Sequence, residues 1–198
     1  MTTIAERFQG GFWPSLQQTQ LLRACLLNGE PALEAWQAWQ AQVDLDAVDH
    51  ASRRMLPLLY RNLEAMQVDH PWMDRIKGIY RYYWAKNQAF FHTIAAMIKD
   101  FQRAGIRPMV LKGAALALLY YQDVGLRPMA DFDLLIPIES LDEGLRILHE
   151  GGWQPAGRSW SSLGARDAAV RNAQNFLHRD GHNFDLHWHI LYLASYTE

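Results

Sequence analysis

The chain has 198 residues, of which 49% are hydrophobic and 20% charged, a composition typical of a globular rather than a disordered protein. This length allows one large domain or two small ones. Its formal net charge of −2 excludes the strongly basic footprint with which proteins usually bind long nucleic acid. Cys25 is the only cysteine, and the sequence contains neither a signal peptide nor a long apolar run. We therefore expect a soluble, cytoplasmic protein with no membrane span.

Residues up to Gly105 show the three- and four-residue spacing of apolar side chains that is typical of helices. The pattern predicts four helices, at about 15–27, 31–42, 45–66 and 71–104. Ser15 and Asp44 are suitable N-caps, and Gly105 is suited to end the last helix. We therefore predict a helical N-terminal region that covers residues 1–104.

After Gly105 the pattern changes to short apolar segments that alternate with helices. The predicted strands lie at 109–111, which we expect to be buried, and at 132–136, 153–155, 174–178 and 182–188. Helices are predicted at 114–121 and 141–150, and the segment 156–173 is interpreted as a loop with a helical turn. Asp180-Gly181 is a favourable hairpin dipeptide between the last two strands. The chain as a whole is predicted to be α+β, with an α/β core over residues 105–198.

Two carboxylates, Asp131 and Asp133, lie beside the apolar segment 134–136. Side chains at i and i+2 of a strand point to the same face, and two like charges roughly 7 Å apart repel by about 2 kcal/mol at an effective dielectric near 20. We therefore expect a cation between them, with a solvated strand end or a turn as the alternative. Asp185 lies on the polar face of the last predicted strand and would join the pair if both strands belonged to one mixed sheet. Three converging carboxylates suit Mg²⁺ or Mn²⁺.

Lys112 and Gly113 lie where a predicted strand passes directly into a helix. Gly113 lets a ligand approach the backbone, and the N–H groups of the following helical turn attract phosphate. Lys112 adds a mobile cation. Arg127 would either contact phosphate as part of a nucleotide site or pair with a nearby acidic side chain. A tight turn with a solvated lysine is the alternative interpretation of Lys112-Gly113.

Two other hypotheses remain open. Asp185, His187 and His189 alternate along one strand and could bind Zn²⁺, but such neighbours usually diverge, so we expect the two histidines to lie at the surface or to be partly satisfied. The second hypothesis is a catalytically inactive module that binds a nucleotide or a partner, with the basic, aromatic-rich helix at 71–104 as its working surface. The cost of the carboxylate repulsion without a metal argues against an inactive relative.

Four motifs taken together resemble the uncharacterised nucleotidyltransferase family of the polymerase-beta-like superfamily. They are Lys112-Gly113, Gly125-x-Arg127, Asp131-Phe132-Asp133-Leu134-Leu135 and Asn183-Phe184-Asp185-Leu186-His187-Trp188. The resemblance covers about residues 101–191. It implies a nucleotidyltransferase-type mixed sheet with helices packed on one face. It also implies transfer of a nucleoside monophosphate, by analogy AMP from ATP, to an unidentified hydroxyl acceptor on a small molecule or a protein.

The resemblance also implies roles for individual residues. Asp131 and Asp133 would ligate two metal ions, Asp185 would complete the metal site nearest the attacking group, and Lys112 and Gly113 would hold the triphosphate. Ala114 stands where the wider superfamily usually has a serine that binds phosphate, so we expect Lys112 to substitute for it. Similar chains usually continue into further helices beyond the third carboxylate, so we expect either a chain shortened at its C-terminal end or a minimal acceptor pocket.

Overall fold

A computed structural model describes residues 13–163, 168 and 170–191. The chain divides into two compact units. The helical unit consists of Met1–Trp84 with Gly125–Pro128, and the sheet unit consists of Ala85–Val124 with Met129–Glu198. The proposed domains at 1–104 and 105–198 stay a prediction.

The described part of the helical unit contains four helices and the start of a fifth. They are α1 (Leu16–Leu26), α2 (Glu30–Gln40), α3 (His50–Arg53), α4 (Leu56–Ala65) and α5 (Trp72–Arg103), which belongs to the sheet unit from Ala85 onward. Ser15 caps α1 by accepting a hydrogen bond from the Gln18 backbone, as predicted. Gly105 follows α5 with a φ of +78°, which also agrees with its predicted role.

The single helix predicted at 45–66 is wrong, because the segment forms two helices. Asp44 accepts a hydrogen bond from the Asp46 backbone within a turn, and Asp49 caps α3 instead. Pro57 lies in the first turn of α4, the part of a helix where a residue without an N–H is tolerated. Helix α4 therefore has its own start at Leu56.

The helical unit has an apolar core that includes an aromatic cluster. The members of this cluster are Trp36, Trp39, His70 and Trp72, whose neighbouring ring centroids are 5.5 to 6.1 Å apart. Leucines of α1 and α4 complete this core. Although α5 has 32 residues, the described chain contains no helix that is both long and apolar enough to cross a membrane.

A five-stranded mixed sheet forms the centre of the sheet unit. Its strands are β1 (Met109–Leu111), β2 (Asp133–Leu135), β3 (Trp153–Pro155), β4 (Ala173–His178) and β5 (Asn183–His187). They are arranged in the order β1-β2-β5-β4-β3, with β2 and β5 parallel and every other neighbouring pair antiparallel. Among the described residues, the sheet is accompanied by the second part of α5 and by α6 (Lys112–Leu116) and α7 (Leu141–Glu150). The predicted α+β class is confirmed.

Several predicted elements of the sheet unit are confirmed. Helix α7 and strand β3 have the expected bounds, and β4 and β5 form the expected hairpin, with Gly181 at a φ of +81°. Within the segment 156–173, a short 3₁₀ turn lies at Trp160–Ser162, whereas residues 164–167 and 169 fall outside the described residues.

Three expectations need correction. Strand β1 is not buried, since it lies at the edge of the sheet and Met109 is 58% exposed. The helix predicted at 114–121 begins at Lys112 and becomes a π-helical turn at Ala117–Tyr121. Asp131 precedes β2 in an exposed, non-strand segment, so the two carboxylates of Asp131 and Asp133 do not share one regular strand.

The two faces of the sheet differ in chemistry. Side chains of α5 and α7 pack with Leu134, Phe184 and Leu186 in one apolar core, so these helices cover one face. Because side chains alternate along a strand, Asp133, Asp185 and His187 are directed to the other face. The expected arrangement of a mixed sheet with helices on one face is therefore present.

Candidate metal and nucleotide site

The parallel pairing of β2 and β5 sets Asp133 directly opposite Asp185. The backbone N–H of Asp185 donates to the carbonyl oxygen of Phe132 at 2.7 Å, which extends this pairing to the residue before β2. The structure thus brings together two of the three carboxylates selected from the sequence. Although the two residues are far apart along the chain, the sheet makes them direct neighbours.

Asp133 is the most buried carboxylate of the site, with a side chain only 4% exposed. Its Oδ1 accepts hydrogen bonds from His187 Nε2 at 3.0 Å and from Lys112 Nζ at 2.5 Å. Burial by itself raises the pKa of the Asp133 carboxyl, but the hydrogen bonds from His187 and Lys112, together with the charge of Lys112, outweigh it. The pKa of Asp133 therefore lies below its ordinary value, and a buried negative charge is maintained at neutral pH.

Asp185 is half-buried and has a partner on the neighbouring strand. Its Oδ1 accepts a hydrogen bond from Asn175 Nδ2 at 2.8 Å, and Asn175 lies opposite Asp185 in the β4–β5 pair. This bond holds the Asp185 carboxylate beside that of Asp133 without neutralising it.

Lys112 is the first residue of α6 and has a φ of +47°, a left-handed conformation that is uncommon for a lysine. The hydrogen bond to Asp133 raises the pKa of Lys112, and partial burial opposes this effect. The charges of Asp185 and Asp131 raise the same pKa further. The ammonium of Lys112 is therefore attracted by all three carboxylates, including that of the exposed Asp131.

Gly113 and Arg127 are the other two residues selected for nucleotide binding. Gly113 lies in the first turn of α6, directly after Lys112, as expected for a strand–helix junction. Arg127 belongs to the segment Gly125–Pro128 of the helical unit. Contact of either residue with a phosphate stays a prediction.

His187 was considered from the sequence only as a zinc ligand and was not among the predicted residues of the carboxylate site. Of the two expectations for it, a surface position is wrong, since it is only 6% exposed because β5 lies between β2 and β4, whereas partial hydrogen bonding is confirmed. Its Nε2 contacts Asp133, whereas its Nδ1 has no hydrogen-bond partner among the described residues. The available signal was its position two residues after Asp185, which places both side chains on one strand face.

Within the described chain, Asp133, Asp185 and His187 form a group that could hold a metal ion, since one ligand atom from each lies within 4.8 Å of the others. His189, the third residue of the zinc hypothesis, lies after the end of β5 and is not part of this group. Asp131 is not part of the group either. In an octahedral site with bonds near 2.1 Å, opposite ligands are about 4.2 Å apart, so the observed spacing needs only small side-chain adjustments. Two carboxylates and one imidazole suit Mn²⁺, and the carboxylates alone suit Mg²⁺.

Comparison with known proteins agrees with this geometry. A family model described as an uncharacterised nucleotidyltransferase matches residues 45–198, which include Lys112, Asp131, Asp133, Asp185 and His187. No curated protein and no solved structure matches the chain. Because the matched region is most of the chain, this protein belongs to the uncharacterised nucleotidyltransferase family.

Proposed function

We propose that the protein is a metal-dependent nucleotidyltransferase that transfers AMP from ATP to a hydroxyl group of a small molecule or a protein. The observation that carries the proposal is the direct opposition of Asp133 and Asp185 in the parallel strand pair, with Lys112 beside them. Family membership supports the reaction class. The choice of ATP, and placement in the polymerase-beta-like superfamily, rest on the resemblance of the motifs.

Each acidic residue has an assigned role in this proposal. Asp131 and Asp133 would hold a divalent cation on the triphosphate side, and Asp185 would hold a second cation on the acceptor side. Bound cations of this kind neutralise the triphosphate and lower the pKa of the acceptor hydroxyl. Asp185 suits the acceptor side because it is less buried than Asp133.

His187 and Lys112 act on the Asp133 carboxylate and on the triphosphate, respectively. His187 holds the Asp133 carboxylate through its Nε2 hydrogen bond and limits its rotation. Lys112 has a largely exposed side chain on a flexible stem, so its ammonium can reach a phosphate oxygen. In the reaction, the acceptor oxygen forms a bond to the α-phosphorus while the bond from that phosphorus to the bridging oxygen breaks. Pyrophosphate leaves with the bonding electrons, and the Asp185 carboxylate accepts the hydroxyl proton.

The test separates nucleotide binding from transfer by means of Asp185→Asn. This change keeps the size of the side chain and removes the acceptor-side charge, so we expect nucleotide affinity to stay within a few fold. Turnover should fall by roughly a thousandfold, because a metal-activated nucleophile contributes several kcal/mol of transition-state stabilisation. Calorimetry with a non-hydrolysable ATP analogue and Mg²⁺ measures the first quantity. Transfer from labelled nucleoside triphosphates to candidate acceptors measures the second.

Asp180→Asn is the matched control, since Asp180 is an exposed aspartate in the β4–β5 hairpin of the same unit. It should leave both quantities unchanged. Transfer by Asp185→Asn at the wild-type rate would show that the two-metal assignment is wrong. A wild-type protein that binds nucleotide but transfers to no acceptor would favour the binding-module hypothesis.

A further inference from the structure

The cation that the structure places at the carboxylates is the ammonium of Lys112. Its Nζ lies 2.5 Å from Asp133 Oδ1, and the charges of Asp185 and Asp131 also act on it. A bound metal ion and this ammonium therefore require the same negative charge. Two cations beside one carboxylate repel each other, so the ammonium of Lys112 weakens the binding of a metal ion to Asp133.

The two donors on Asp133 Oδ1 differ in their freedom to leave. His187 is buried within a central strand, so its ring is enclosed by its neighbours. Lys112 has a side chain that is 60% exposed, so its ammonium can move into water or onto a phosphate. Of the two, Lys112 is the one that an incoming ion can displace.

Lys112 has an uncommon backbone conformation, with a φ of +47°. A non-glycine residue is disfavoured in the left-handed region and persists there only where its surroundings hold it. Lys112 also follows Leu111, the β1 residue paired with Asp133. The side chain of Lys112 is therefore held beside the Asp133 carboxylate at its backbone end by the strand pairing of Leu111 and at its ammonium end by the ion pair.

We propose that Lys112 is a built-in competitor of the metal ion: it neutralises Asp133 when no metal is bound, and metal binding releases its ammonium to the triphosphate. This inference rests on the proposed function and adds a coupling between its two ligands. A metal ion that binds without nucleotide must displace the Lys112 ammonium from Asp133, so it binds weakly. When nucleotide is also bound, the displaced ammonium can pair with the triphosphate. Metal and nucleotide therefore each favour binding of the other.

The experiment compares the wild type with Lys112→Met, which keeps the length of the side chain and removes the charge. We expect Lys112→Met to bind Mn²⁺ alone roughly tenfold more tightly, because one competing ion pair is absent. The same variant should bind the non-hydrolysable ATP analogue with Mg²⁺ more weakly. Calorimetry measures both affinities. Lys112→Arg, which retains the charge, and Lys99→Met, at an exposed position of α5, should both keep the wild-type Mn²⁺ affinity.

The opposite directions of the two changes exclude a simple folding defect, which would weaken both. Mn²⁺ affinity that is unchanged or weaker in folded Lys112→Met would overturn the proposal. If Lys112→Met does not fold, the wild type provides a second measurement. Mn²⁺ should increase the rate at which Lys112 reacts with an amine-acylating reagent, relative to the rate at Lys99. An unchanged ratio of the two rates would also overturn the proposal. Neither readout involves transfer, so this inference and the proposed function can fail separately.

Discussion

Two buried ionisable side chains, one in each unit, are held in opposite charge states. In the helical unit, Cys25 is buried without a charged partner, and burial raises the pKa of its thiol to about 12, so it stays neutral. In the sheet unit, Asp133 is similarly buried, yet Lys112 and His187 keep it charged. A buried ion pair rarely adds stability over apolar packing. Packing accounts for the neutral thiol of the helical unit, whereas we expect the charge retained in the sheet unit to serve a ligand rather than stability.

The largest expected effect tests the packing side of this comparison. Trp39→Ala should lower the free energy of unfolding by about 3 to 5 kcal/mol, because it removes a fully buried ring from the aromatic cluster. Asp133→Asn should cost only about 1 kcal/mol without metal, since asparagine can still accept a hydrogen bond and Lys112 can turn to solvent. Urea unfolding followed by circular dichroism measures both. Equal costs would indicate that Asp133 is a structural residue.

The second effect tests whether the retained charge serves a ligand. With Mg²⁺ and a non-hydrolysable ATP analogue at a hundredfold excess over their dissociation constant, the wild type should gain about 2.7 kcal/mol of stability. The double variant Asp131→Asn with Asp133→Asn should lose this gain, because it removes the proposed ligands of the triphosphate-side ion. Scanning calorimetry measures the shift.

A matched double variant, Asp142→Asn with Asp180→Asn, changes two exposed aspartates of the same unit and should keep the gain in stability. If the site double variant retained the full shift, the ion would lie elsewhere. His187 and His189 would then be the next candidates.

The smallest effect that we expect is a pH dependence of stability caused by the neutral Cys25 thiol of the helical unit. The Cys25 thiol has an ordinary pKa of 9.0 in the unfolded chain and about 12 in the folded protein. Above pH 9 the unfolded state therefore loses a proton that the folded state keeps, and stability falls as pH rises by about 1.4 kcal/mol per pH unit. The measurement is the difference in this slope between the wild type and Cys25→Ala, from pH 8 to 10.5. Identical slopes would show that the thiol ionises in the folded protein.

Local patterns predicted much of the fold. The cap at Ser15, the end of α5 at Gly105, helix α7 and the β4–β5 hairpin all depend on residues close together in the chain, so the sequence alone was enough to recognise them. The break between α3 and α4 was missed because apolar spacing continues across it, although Pro57 supplied a local signal.

Part of the candidate site was also predictable. Alternation along β5 placed Asp185 opposite the apolar face, and the motif around Asp133 suggested a neighbouring strand. Burial of His187, exposure of Asp131 and the edge position of β1 were not predictable, because each depends on how the strands are arranged rather than on the pattern within one strand.

The sequence was enough to locate most of the helices and strands, to show which face of β5 is polar, and to select the charged residues of the site. Only the tertiary structure decided that β2 lies parallel to β5, that His187 is enclosed between two strands, and that Lys112 neutralises Asp133. The difference lies in how far along the chain each effect acts. Helix periodicity and strand alternation act over a few residues, whereas the charge of a carboxylate depends on the groups that folding brings to it from distant parts of the chain.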